Sequence, residues 1–370
     1  MTLPSPPRVV AAMLAAAGLA VLWVNRIDPD ESRVLGAVLV FVGGAGLLLR
    51  SQVVGRIVEA VAVLVLVLLG AEGMLRRENA IAAKAYDERT MHFVADPLLR
   101  YEFQPSLACN KSVTNSLGML GPLRSQEKPP GTLRVACLGD SVGGDCSLPQ
   151  ENACAALESI LRERRGGKPV EVLNFSVPGY NTLQEARALE LKALPFSPDV
   201  VVVLYVVNDP YPDLAVSHFL PGHFKFEHLL AGGARMAAAR IAPFDVDPFG
   251  GLFEQLHKDP RSWNGVVVAG FDRIRAVADE RHLPVVVAVF PLFLERTSPE
   301  TRAIYVKVAR EAVAHGFIGI DLSQTAYKGM PTAALLKPSR DSIHPNALAH
   351  HLAATAIADA LLAQHPELAR

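Results

Sequence analysis

The stretch RVACLGDSVGGDC, residues 134–146, decides how the second half of this 370-residue chain is read. A short apolar run, Val135–Leu138, ends in Gly139-Asp140-Ser141, and glycines follow. A strand that stops there and turns into a helix leaves Ser141 at its carboxyl end. In an open α/β sheet that edge is where ligands bind. On this stretch alone Ser141 is either a presented nucleophile or a helix cap after a tight turn.

Outward from it, short apolar runs alternate with helical periodicity. LRVACL (133–138) precedes a helix around Asn152–Arg164, and VEVLNF (170–175) precedes the helical LQEARALELKAL (183–194). PDVVVVLYVV (198–207) is β-branched throughout, which suits a strand buried on both faces. LPVVVAVF (283–290) lies between the helical FDRIRAVADERH and TRAIYVKVAREAVAHG; FIGIDL (317–322) and a final helix, ALAHHLAATAIADALLAQ, follow. This alternation predicts an α/β domain over 131–370, a mostly parallel five-stranded sheet between two helix layers. Residues 210–263 break the rhythm as an insertion rich in Phe, His, Pro and Gly. Its His218, His223 and His228, with Phe219, Phe224 and Phe226, either shape a pocket or simply pack.

The first 78 residues are different. Three apolar runs, at 9–24, 34–49 and 57–75, carry much of the excess that makes mean hydropathy +0.25. The first two are shorter than the ~20 residues of a bilayer span, but Trp23 and flanking arginines extend them to the interface. The expectation is about three transmembrane helices contacting a lipid bilayer, then a connector over 79–130 that ends in EKPPGT. A cleavable signal peptide fits Arg8 and the first run, yet no small-x-small cleavage site follows and two apolar runs remain. Lys/Arg placement does not fix orientation: Arg8, Arg50 and Arg56 fall on one side, Arg26, Arg33, Arg76 and Arg77 on the other.

Net charge is −1, and the dense basic cluster RERRGGK (162–168) reads as a helix C-terminus closed by Gly166. Nucleic acid is not indicated. The four cysteines have no metal-like spacing. Cys137 reads as a small core residue, while Cys109 and Cys146 could pair if the domain is extracytoplasmic, a point the sequence leaves open. His350 and His351 lack an HExxH-type partner, so no metal or cofactor is expected.

Three further pieces bear on Ser141. In DSIHPN (341–346), Asp341 and His344 sit three apart before the last helix, so the carboxylate can fix the imidazole tautomer and the imidazole can take a hydroxyl proton. In YVVNDP (205–210), Asn208 follows the most apolar strand and offers an amide donor for an oxyanion. In SVPGYNT (176–182), Gly179 lets a backbone N–H approach a ligand with no Cβ in the way. GDSVG also matches the G-x-S-x-G elbow of α/β-hydrolases, but that elbow needs several strands before it, and here a connector precedes the first.

In this order, GDS, G, ND and DxxH resemble the blocks of the SGNH (GDSL) hydrolases over about 131–370. The resemblance implies a three-layer, flavodoxin-like fold with Ser141 as nucleophile, His344 as acid–base and Asp341 as its orienting carboxylate. It also implies an oxyanion hole of the Ser141 and Gly179 N–H groups and the Asn208 amide. Val206 departs from the pattern, which has glycine there. The expected function is a membrane-anchored serine esterase acting on acyl esters, O-acetyl groups on glycans or lipid acyl chains, on the extracytoplasmic side. An O-acyltransferase with the same triad and a catalytically silent binding domain stay open, as does the oligomeric state.

Overall fold

The computed structural model describes residues 91–370, except 110, 145, 147–150, 212–250, 294–296 and 338–343, together with 53, 56 and 60. The three N-terminal apolar runs apart from Ala60, together with Asp341 and the histidines and phenylalanines of 218–228, lie outside the described residues. Among the described residues no helix is long and apolar enough to cross a membrane.

The sheet is built from β1 (Leu133–Gly139), β2 (Val170–Asn174), β3 (Val200–Tyr205), β4 (Val285–Val289) and β5 (Ile318–Asp321). Its order is β2-β1-β3-β4-β5, and every pairing is parallel. That is the doubly wound order in which the chain reverses direction across the sheet beside β1. β3 explains the architecture residue by residue. Val200, Val202 and Leu204 enter one core cluster, whereas Val201, Val203 and Tyr205 enter the other. Both faces of a strand with period-2 side chains are thereby covered, and each buried Val or Leu contributes roughly 1.5–3 kcal/mol.

The helices are α1 (Ser141–Gly144), α2 (Ala153–Arg164), α3 (Thr182–Ala188), α4 (Leu252–Lys258), α5 (Ala269–Arg281), α6 (Pro299–Ala314) and α7 (Ala347–Gln364). α2 and α7 bury Leu157, Leu161, Ala354 and Ile357 on one face. α3, α5 and α6 bury Ala186, Phe271, Ile304 and Val308 on the other. Caps set several starts. Asn152 accepts from Ala155 N–H, and Asn181 forms a reciprocal capping box with Gln184. The described end of the insertion, from Gly251, is largely helical and runs from α4 through Pro260–Ser262 and Trp263–Val268 into α5.

Within the connector, Met91–Phe93 pairs with Tyr101–Phe103, and Leu99, Tyr101 and Phe103 are buried in the core. Leu120 bridges to Asn174, which shields the exposed side of edge strand β2. Cys137 is the core residue expected, but not merely that: it is bonded to Cys154, joining β1 to α2. Alternating apolar residues conceal such a partner, since a half-cystine packs as well as a thiol. The pairing left conditional is present: Cys109 is bonded to Cys146.

Candidate active site

Residues that follow three strand ends, β1, β2 and β3, meet the loop before α7 at one edge of the sheet. β1 ends at Gly139, and Asp140 caps the turn into α1: its Oδ1 accepts Val142 N–H at 2.9 Å and its carbonyl accepts Gly144 N–H at 2.8 Å. Ser141 is thus the first residue of a helix, half-buried and reachable from solvent. Its Oγ lies 2.9 Å from His344 Nε2 and 3.3 Å from Asp140 Oδ2.

Gly143 makes this turn fit. A Cβ there would stand 2.2 Å from Ser176 Oγ, so a side chain would force apart α1 and the segment after β2. The Gly143 carbonyl instead accepts Asn174 Nδ2 at 2.8 Å. That segment leads to Gly179, at φ +81°, the left-handed region that favours glycine. Tyr101 from the former connector donates its hydroxyl to Pro178 O at 3.1 Å and pins the loop. Among the described residues no acceptor takes the Gly179 N–H.

Asn208 follows β3 in a turn closed by Asp209 N–H to Val206 O at 3.1 Å and Tyr211 N–H to Asn208 O at 3.0 Å. The turn closes with Val206 where the pattern has glycine. Asn208 Nδ2 donates to Asp140 Oδ2 at 2.8 Å, and an amide NH₂ has a second hydrogen left to offer. Asn208, Gly179 and His344 are, like Ser141, half-buried, so a ligand can reach them.

His344 precedes α7, and its carbonyl accepts Lys337 N–H at 3.3 Å. The Leu336–Pro345 bridge and the Asn346 side chain, bonded to Ala334 O and Leu336 O, hold this corner. The structure therefore brings Ser141, Asn208 and His344 together, linked by Asp140, with Gly179 on the adjoining loop. Asp341 lies outside the described residues.

Asp140 is the residue that sequence reasoning missed. It is 1% exposed, and burial raises its pKa, against the opposing pull of Val142 N–H, the Asn208 amide and nearby His344. It tethers Asn208 and Ser141 from below the site. Its place inside the GDS block was the available signal. Glu185 and Asp209, both fully buried, were missed too.

A protein-family model described as the GDSL-like Lipase/Acylhydrolase family matches residues 137–352. Similar solved structures include a lipase/acylhydrolase from Enterococcus faecalis (18% identity, 63% of this chain, 96% of that chain, TM-score 0.40). An acetylxylan esterase, Axe2, from Geobacillus stearothermophilus is 15% identical over 63% of this chain and 93% of its own, at TM-score 0.37. LAE5, an alpha/beta hydrolase enzyme from the metagenome of Lake Arreo, is 18% identical over 64% of this chain and 96% of its own, at TM-score 0.38. No curated protein matches the chain.

Proposed function

The chain belongs to the GDSL-like lipase/acylhydrolase family of hydrolases acting on esters, and from that premise we propose that it is a serine esterase in which Ser141 is acylated. His344 Nε2 takes the Ser141 hydroxyl proton as Oγ attacks the ester carbonyl. The carbonyl oxygen becomes an oxyanion held by the N–H groups of Ser141 and Gly179 and by the free hydrogen of Asn208 Nδ2. Collapse breaks the ester C–O bond, and the proton on His344 passes to the leaving alkoxide. Water then gives His344 a proton, attacks the acyl-enzyme and releases the acid, and the proton returns to Ser141. Asp341, three residues before His344, is the carboxylate assigned to hold the imidazole as its Nδ1–H tautomer.

The observation that carries this reading is the 2.9 Å contact of His344 Nε2 with Ser141 Oγ. A second support is the Gly179 N–H, which has no acceptor among the described residues.

The finer reading is a membrane-anchored enzyme removing acyl groups, O-acetyl among them, from glycans or lipids outside the cytoplasm. The apolar runs at 9–24, 34–49 and 57–75 support the anchor. Two disulfides support an oxidising compartment. The test is ester hydrolysis by the full chain. Wild type should release p-nitrophenol from p-nitrophenyl acetate and accumulate an acetylated species by intact mass. Ser141→Ala should do neither, and undiminished turnover by that variant would remove Ser141 from the reaction.

A further inference from the structure

Gly179 stands third in the turn Val177-Pro178-Gly179-Tyr180, which Tyr180 N–H closes by donating to Val177 O at 3.1 Å. Proline at the second place and φ +81° at the third are the marks of a type II turn. The type I turn differs from it chiefly by turning over the central peptide, the one that joins Pro178 C=O to Gly179 N–H. Proline at the second place suits both types, and glycine at the third is able to adopt either sign of φ. The sequence of the turn therefore favours one direction of that peptide without enforcing it.

Tyr101 acts on it from outside. Its Oη donates to Pro178 O at 3.1 Å, and among the described residues no other donor reaches that oxygen. In a planar trans peptide C=O and N–H point in opposite directions, so holding one aims the other. The absence of a side chain at 179 makes room for the contact, since a Cβ there would stand 3.0 Å from Tyr101 Oη. The same turn presses on the helix that begins at Ser141: a Cβ on Gly144 would lie 3.0 Å from Pro178 Cδ. Tyr101 is itself held firmly. Tyr180 Oη donates to Tyr101 O at 2.6 Å, and the two buried rings meet edge to face at 5.4 Å. Gln184 on α3 donates to Leu99 O at 3.1 Å, and Arg187 on α3 pairs with Asp96 at 2.7 Å. The connector hairpin and the turn thus brace each other, each giving a hydroxyl to the other's backbone.

We propose that Tyr101 is a positioning residue that fixes the direction of the Gly179 N–H, and that the connector thereby completes the catalytic site; the second clause rests on the reading of Gly179 as an oxyanion donor. Tyr101 lies outside residues 137–352, the part of the chain that matches the family, so this is a contribution of the chain's own connector. The hydroxyl acts through the Pro178 carbonyl and not on the ester. It holds, before substrate arrives, the orientation that the tetrahedral intermediate needs, and such donors are effective because they are set in advance.

The experiment compares the full chain as wild type, as Tyr101→Phe, and with 4-aminophenylalanine at position 101, using p-nitrophenyl acetate. Tyr101→Phe deletes one oxygen and keeps the ring. It should lose about 10-fold in kcat with little change in KM, less than the 10²–10³-fold typical of an oxyanion donor removed outright. Affinity for a trifluoromethyl ketone, which presents an oxyanion once Ser141 adds to it, should fall by the same factor. The aniline variant restores a donor on the same ring and should recover most of both losses. A tyrosine that served stability alone would lower the melting temperature and leave kcat unchanged. In crystal structures the Pro178–Gly179 peptide should keep one direction in wild type and be turned over, or occupy two directions, in Tyr101→Phe. An unmoved peptide in Tyr101→Phe would overturn the proposal. A moved peptide with kcat unaltered, or a loss that the aniline does not repair, would overturn its catalytic clause. Tyr180→Phe, which loosens Tyr101 without removing its hydroxyl, is judged by the same outcomes if Tyr101→Phe does not fold. If wild type cleaves no ester, the reading of the site fails separately, and the peptide direction in Tyr101→Phe still decides whether Tyr101 sets it.

Discussion

His344 Nε2 stands 2.9 Å from Ser141 Oγ, although 203 positions separate the two residues. Two chain corners produce the contact. One is the cap at Asp140 that starts α1, and the other is the bridged loop that delivers His344 to the start of α7. The packing of α2 against α7 on one face of the sheet fixes the elements that carry them.

The oxyanion assignment makes the sharpest kinetic prediction. Asn208→Ala should lower kcat by about 10²–10³-fold, the usual effect of removing one such donor. Its melting temperature should stay near wild type, because Asn208 is half-buried and Asp140 keeps Val142 N–H. Steady-state kinetics and a melting curve on the same preparation check both parts.

Gly143 should tolerate no side chain while Ser176 is in place. A Cβ at 143 meets Ser176 Oγ at 2.2 Å and Ser176 Cβ at 2.7 Å. Gly143→Ala is expected to destabilise by about 1–3 kcal/mol and to depress kcat, since it displaces the helix that begins at Ser141. Ser176→Gly should rescue part of both losses in the double variant, and additive losses in the double-mutant cycle would show that the clash is not the cause.

The two disulfides bracket Ser141. Cys137 lies four residues before it and Cys146 five residues after it. Each bond should contribute about 2–4 kcal/mol. Treatment with reductant should therefore lower the melting temperature, as should Cys109→Ser with Cys146→Ser, and activity should fall with loss of order around Ser141. Melting that is indifferent to reductant would contradict this.

Acid should weaken the fold through two enclosed imidazoles. Burial lowers the pKa of His257 to about 4 and that of His350 to about 3, from an ordinary 6.5. Between those values the unfolded chain binds a proton at each site and the folded chain does not. Stability therefore rises with pH across that window and is lost as pH falls through it, by about 1.4 kcal/mol per pH unit for each histidine. In His350→Phe, chemical denaturation between pH 6 and 4 should show a slope shallower by about one proton, and an unchanged slope would exclude His350.

Much of this was legible in the sequence because the strands announce themselves. A run such as Val200–Tyr205 has no polar residue to place it at a surface, so burial on both faces is its natural solution. Ser141, Gly179, Asn208 and His344 could be named because each follows a strand or precedes a helix, and parallel strands gather those positions at one edge. The less legible parts depend on contacts across long separations. Tyr101 reaches Pro178 by a hydroxyl, a link that no local pattern encodes. Glu185 falls in a helix of alternating character where a carboxylate reads as solvent-facing, yet it is fully buried. Cys137 and Cys154 sit in a strand and a helix whose apolar patterns each accommodate a cysteine without demanding its partner.

The most direct test of Ser141 as the acylated residue is labelling with a fluorophosphonate, followed by peptide mapping of the full chain. The account predicts one modified residue, Ser141, with labelling abolished in Ser141→Ala and strongly slowed in His344→Ala. Modification at another residue, or an equal rate without the His344 imidazole, would contradict it.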